Sequence, residues 1–138
     1  MILRDVDRTP VTIYNKVGHS YVRTVVSGCI WKQSIEASFK SQGVLPIDTV
    51  KLYILNYEGY VPSASYDGHA GYTITVGNEI NNTYIVKGLC DFDFDSLSER
   101  ELADKVREFE RNYDYHRANA VSENFVGSRR MRHLMILC

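Results

Sequence analysis

Apolar and polar residues alternate in short runs along most of this chain, and a period of two marks a strand with one face buried and one face wet. Val11-Thr12-Ile13-Tyr14-Asn15 is the first such run, and Lys16-Val17-Gly18-His19-Ser20 follows it as a turn. Tyr21-Val22-Arg23-Thr24-Val25-Val26 predicts a second strand ending at Ser27-Gly28. Residues 29–38 predict a third, with Trp31, Gln33 and Ile35 on one side of the pleat. Lys40, Ser41, Gln42 and Gly43 make 39–46 a loop, and strand character returns over 49–55 with Val50, Leu52 and Ile54 inward.

Gly59, Pro62, Ser63, Ser65, Asp67 and Gly68 then interrupt any period over 56–70, with Tyr57, Tyr60 and Tyr66 interspersed. A connection of that length inside a small domain is usually functional or mobile. Tyr72-Thr73-Ile74-Thr75-Val76 predicts a strand, Gly77-Asn78-Glu79 and Asn81-Asn82 are turn material, and 83–87 and 89–94 read as further strands. One segment changes period. Over 98–112, Leu102, Val106 and Phe109 fall at i, i+4 and i+7 among Glu and Arg, which predicts a helix. Ser98 and Glu101 form its S-x-x-E capping box, and Leu97 is placed to staple against Leu102. Residues 113–126 and 130–137 read as a terminal strand pair around Gly127-Ser128.

These elements predict a mainly β fold, a small β-barrel or sandwich of about seven to nine short antiparallel strands with one α-helix over about 98–112. With 138 residues, the chain suits a single domain over 1–138, with the long loop at about 56–70. A hydrophobic fraction of 44% is enough for a packed core. The formal charge of −1 supplies no global attraction to nucleic acid or an anionic membrane, so partners must be argued locally. Arg4, Asp5, Asp7 and Arg8 stand where an export signal needs an apolar run, and no segment approaches the roughly 18 apolar residues of a membrane span. A soluble protein with no membrane partner is expected. Cys29, Cys90 and Cys138 are odd in number and lack paired spacings, and read as reduced thiols of an intracellular product.

His19, His69, His116 and His133 lie in four separate segments without metal-ligand spacing. Asp91-Phe92-Asp93-Phe94-Asp95 offers three carboxylates to a hard cation, but in an extended segment the aspartates share one face and the phenylalanines the other. That equally describes a solvated face over a core, or a patch for a basic partner. Nucleophile elbows, phosphate loops and dinucleotide fingerprints are missing from the sequence, so no catalytic residue, cofactor or metal is expected, and the protein is not expected to be an enzyme. Arg129, Arg130 and Arg132, next to His133, form a basic cluster suited to DNA phosphates or an acidic partner, or to a solvated hairpin tip. Tyr57, Tyr60 and Tyr66, with His69, are the candidate subunit-interface residues, because tyrosine gives large contact area at little entropic cost, and ordinary packing is the equal alternative.

The order of segments resembles a family of small proteins from the head-morphogenesis region of tailed phages and prophages of Gram-positive bacteria. Val11-Thr12-Ile13-Tyr14-Asn15 with Tyr21-x-Arg23-Thr24-Val25 and Gly28-x-x-Trp31 looks like their opening strands. Gly43-Val44-Leu45, residues 50–54, Gly71-Tyr72-Thr73 and Tyr84-Ile85-Val86-Lys87-Gly88 are similar to their middle, and Gly127-Ser128-x-x-Met131-x-His133 to their final hairpin. The helix over 98–112 and Leu134 in place of an aromatic depart from that pattern.

The resemblance implies a virion protein that joins head and tail, a head-closure or neck connector ring subunit assembled in the host cytoplasm. Its partners would be other copies of itself, the portal or adaptor and tail proteins, and packaged DNA in the channel. A tail-terminator or tail-adaptor ring protein of the same particle is the first alternative. A free phage-encoded module that binds a host protein is the second.

Overall fold

The structure is a computed structural model that describes residues 8–17, 20–40, 43–68, 70–76, 82–125 and 132–138, with the backbone path alone over 34–48. Its elements are β1 (Thr9–Val17), β2 (Ser20–Lys40), β3 (Gly43–Ile54), β4 (Tyr84–Lys87), α1 (Glu99–Asn112), β5 (Tyr115–Arg117), β6 (Ala120–Asn124) and β7 (His133–Leu137). The strands form an antiparallel sheet in the order β5-β4-β1-β2-β3-β7-β6. The expected mainly β architecture with one helix is therefore what the chain adopts, as a half-barrel.

The curl follows from connectivity. β5 and β6 lie at opposite ends of the strand order, yet only Ala118 and Asn119 separate them. Two residues span roughly 7 Å, so the ends of the sheet must come together. Ala118 N–H donates to Thr83 O beside β4, and Asn119 N–H donates to Leu137 O in β7, which ties one edge to the other. On the far side the two halves are joined by β2, which pairs with β1 up to Cys29 and with β3 from Ile30 onward. Val11, Ile13, Val26 and Ile85 from the first half meet Leu52, Ile54, Leu134 and Ile136 from the second in one buried cluster.

β2 departs from the sequence expectation. It does not stop at Ser27-Gly28 but runs for 21 residues. The β1–β2 register shifts between Thr9 and Val11, opposite Gly28 at φ +73°. A glycine in the left-handed region accommodates the extra residue of a bulge, which bends and twists a strand without ending it. The loop expected over 39–46 is likewise shorter, because pairing continues to Lys40↔Gly43.

β1 is buried on both faces, with Val11, Thr12, Ile13, Tyr14 and Asn15 all covered. Its inner face meets the half-barrel core, and Tyr14 on the other face enters a second cluster with Tyr21, Tyr84, Phe94, Leu102 and Phe109. The segment after β4 crosses this outer face without joining the ladder expected over 89–94. Its backbone is bound by side chains instead: Tyr14 Oη donates to Phe92 O at 2.9 Å, Cys90 N–H to Thr12 Oγ1 at 2.9 Å, and Thr12 Oγ1 to Gly88 O at 2.9 Å. The alternation across Asp91-Phe92-Asp93-Phe94-Asp95 survives, with the aspartates exposed and Phe94 buried.

Residues 72–76 also form no ladder strand among the described residues. Tyr72 makes one parallel bridge to Tyr60, and Thr83 holds the rest, its Oγ1 accepting from Thr75 N–H at 2.8 Å and its N–H donating to Thr75 O. The strand expected over 113–126 is two strands split at Ala118, where the chain changes sheet half, and the last strand is His133–Leu137.

Helix α1 is capped as the S-x-x-E motif predicts, with Ser98 Oγ accepting from Glu101 N–H at 3.2 Å. The Glu101 carboxylate accepts from Leu97 N–H at 3.1 Å. The staple does not form, since Leu97 is 96% exposed. What seats the helix is Phe109, fully buried with ring centroids 4.9 Å from Phe94, 5.2 Å from Tyr84 and 5.5 Å from Tyr14. Arg117 in β5 adds a bond to Glu110 at 3.0 Å and stacks over the Tyr84 ring. Phe109→Ala is expected to remove about 3–5 kcal/mol of stability, read from the urea midpoint, because ring burial and cavity formation add. Leu97→Ala should stay within about 0.5 kcal/mol of the parent.

Candidate functional site

Two backbone features of β2 leave main-chain groups without a ladder partner among the described residues. The first is a ribbon. Past Val50, whose carbonyl accepts from Cys138 N–H at 2.9 Å, β3 has no ladder partner but β2 among the described residues. The seven pairs from Ser34↔Thr49 to Lys40↔Gly43 therefore project as a two-stranded hairpin. At about 3.4 Å per residue it reaches roughly 20 Å beyond the half-barrel. Two strands alone are only marginally stable in water, so such an arm gains most from a surface that covers it.

The second feature lies at the other end of β2. There β3 has turned away, and the edge of β2 opposite β1 has no ladder partner among the described residues. A cleft of about 420 Å3 opens beside it, walled by Thr24, Val25, Val26 and Ser27 on one side and by Asn56, Glu58, Gly59, Gly71 and Tyr72 on the other. Gly71 is shaped for that wall. Its φ is +74°, and a Cβ there would run into Gly59 O, which accepts the Tyr72 N–H bond at 2.9 Å. The Tyr72 hydroxyl is buried without a hydrogen-bond partner.

The tyrosines of the long loop hold it down. Tyr57 stacks on Phe125 with centroids 4.5 Å apart, Tyr60 packs edge-on against Tyr72 at 6.0 Å and donates to Glu123 Oε1 at 2.9 Å, and Tyr66 Oη accepts from Asn15 Nδ2 at 3.1 Å. All three are half-buried, and Tyr57 and Tyr60 close one side of the core. His69, Arg129 and Arg130 fall outside the described residues. Arg132 is exposed next to His133, whose ring lies 5.6 Å from Tyr53. The same outer face of the sheet carries Lys32 directly opposite Lys51, with Lys32 over the Tyr53 ring at 5.6 Å. Like charges in a cross-strand pair disfavour each other, and an anion nearby relieves that repulsion.

Neither the ribbon nor the cleft was visible in side-chain patterns, because both depend on which main-chain edges lack a ladder partner among the described residues. The one available signal was the length of apolar and polar alternation either side of Gly28. Among the described residues no group of three or more His, Cys, Asp or Glu could hold a metal ion, and no helix is long and apolar enough to cross a membrane.

A half-barrel with a projecting hairpin, an open strand edge and one helix on its flank defines a small mainly β protein whose exposed chemistry is backbone pairing. The chain belongs to the family described as "Family of unknown function (DUF6751)", which it matches over residues 6–138. Neither the curated proteins nor the solved structures contain a match to it.

Burial leaves a titration signature. It pushes the Tyr21 phenol and the Cys29 thiol up to about 12, and burial with the Glu123 bond does the same for Tyr60. In each case the folded chain holds the proton more tightly than the unfolded chain. Their stabilisation is thus complete below the ordinary values of 9.0 for the thiol and 10.0 for the phenols, and is lost as pH rises toward about 12. The urea midpoint should be unaffected by these groups at neutral pH and fall steadily above pH 10. Cys29 should react with a thiol reagent only as fast as the chain unfolds.

Proposed function

We propose that this protein is a structural subunit of a tailed-phage particle that joins head and tail as a ring, in the position of a head-closure or neck connector component. The observation that carries the reading is the ribbon over 34–49. A ring subunit needs a rigid body plus an element that reaches out of it to a neighbour, and the half-barrel with its two-stranded arm has that form. The order of segments quoted above supports the same reading. The chemistry of the site also suits a scaffold, since its distinctive groups are backbone donors and acceptors rather than nucleophiles or acid–base pairs.

Partners in this reading are further copies of the chain, the portal or adaptor on one side and tail proteins on the other. Lys32 opposite Lys51, and Arg132 just before β7, suit DNA in the channel or an acidic neighbour. A cryo-EM reconstruction of purified virions that encode this chain is the test. A ring of copies directly below the portal is the expected result. Density at the distal end of the tail tube would reassign the chain as a tail terminator. Absence from particles, checked by mass spectrometry, would overturn the reading in favour of a free binding module.

A further inference from the structure

The backbone bonds of β2 and β3 fix which groups of the ribbon are satisfied. Cys138 N–H donates to Val50 O in the register that pairs Lys51 with Leu137. In an antiparallel pair a bonded residue turns both its N–H and its C=O to the same neighbour, and the direction alternates along the strand. Even-numbered residues of β3 therefore face the β7 side, and odd-numbered ones face β2. Through Ala37↔Pro46 and its neighbours, residues 34, 36, 38 and 40 of β2 bond to β3, while 35, 37 and 39 turn to the opposite edge.

The two edges of the ribbon are not equivalent. On the β3 edge the outward positions are 44, 46 and 48, and Pro46 has no N–H to give. A proline in an edge strand with its missing donor outward leaves its own ladder intact and blunts that edge against further strands. The β2 edge, at 35, 37 and 39, has no proline.

The same reasoning applies near the cleft. Gly88 N–H donates to Pro10 O, so Thr12 and Tyr14 face β4, while Val11, Ile13 and Asn15 face β2. On β2 their partners Val26, Thr24 and Val22 are satisfied, and Tyr21, Arg23 and Val25 turn their N–H and C=O groups away from β1, with Val25 lining the cleft. Because of the bulge at Gly28, the open edge of the ribbon lies on the β1 side of β2 and the open edge of the cleft on the β3 side.

We infer that the unblocked ribbon edge of one copy adds as a strand to the cleft edge of a second copy, pairing residues 35–39 of the first with residues 21–25 of the second. This rests on the reading of the chain as a self-assembling subunit. The occupant is a second copy because one chain carries both halves of the contact, an arm edge and a recess edge that have no ladder partner among the described residues. The two edges lie on opposite sides of β2, so a copy that gives its arm to one neighbour keeps its cleft for another. Such a contact is heterologous and propagates head to tail until it closes.

The test is cysteine cross-linking of the purified full chain with a short bismaleimide. One preparation carries Ala37→Cys and the other, bearing a size tag, carries Val25→Cys at a position 40% exposed. A mixed dimer should form when the two are combined, and neither preparation should cross-link to itself above the unsubstituted protein. Adding Ala37→Pro in place of Ala37→Cys, with Gln33→Cys as the reactive position, should abolish the product, since the lost N–H faces outward and the β3 ladder is untouched. Pro46→Ala should leave it unchanged. Self-linking of the Ala37→Cys preparation would mean a two-fold arm-to-arm contact and overturn the proposal, as would failure to obtain any mixed dimer from folded protein. A mixed dimer from a chain absent from virions would keep this interface while removing the head-to-tail role, and a virion ring held by other contacts would do the reverse.

Discussion

A single strand that serves two sheet halves is the constraint on which the rest of this molecule depends. β2 is paired on one side by β1 and on the other by β3, and the exchange occurs over Gly28, whose positive φ lets the strand bend. A side chain with a Cβ finds open space there, so the obstacle to substitution is the backbone conformation alone. Because β2 changes partner at that point, each of its ends has one edge with no ladder partner among the described residues. The hairpin projects because β1 has ended, and the cleft opens because β3 has turned away.

The core is arranged to hold that bent strand in place. β1 is covered on both faces, with aliphatic side chains toward the half-barrel and Tyr14 toward the helix. Its outer neighbour, the segment 88–95, contributes almost no strand pairing and is instead stitched down through Thr12 and Tyr14, and by the Arg23 Nε bond to Cys90 O. Buried polar groups must be paired, so the hydroxyls of Thr12 and Tyr14 stand in for the ladder that an edge strand would otherwise supply. The helix then buries Phe109 against those same rings. Tertiary packing of one aromatic face, rather than helix propensity, is what keeps a helix of 14 residues in place.

The parts of this fold that were legible in the sequence are those where one residue's chemistry decides one local conformation. The S-x-x-E box placed the helix start at Ser98, and the period of two placed Val50, Leu52 and Ile54 inside. Ser27-Gly28 was read as an end because glycine both terminates strands and makes bulges, and only the partner strands distinguish the two. Tyr72-Thr73-Ile74 alternates in sequence but is buried at three consecutive positions, since it packs between Tyr60 and Thr83 and has no solvent face. The tyrosines at 57, 60 and 66 read in sequence as interface residues or as ordinary packing, and their hydroxyls and rings engage this chain's own Phe125, Glu123 and Asn15. The exposed edges that shape the candidate site are backbone groups, which every residue but proline carries alike.

Proline is where that uniformity breaks, and Pro46 gives the ribbon a direction. Bare strand edges invite promiscuous pairing, and a protein with several of them must close some to keep the others selective. Here the outward donor is missing on the β3 edge and present on the β2 edge, so a partner strand that needs alternating donors and acceptors finds a full set on one side only. An arm that was sticky on both sides would join copies in more than one geometry, and the products would branch. With one edge blunted at Pro46, each copy in the proposed contact would offer one arm edge and one cleft edge. Copies linked in the proposed way would repeat a single rotation, which gives a ring where that rotation closes and an open filament where it does not.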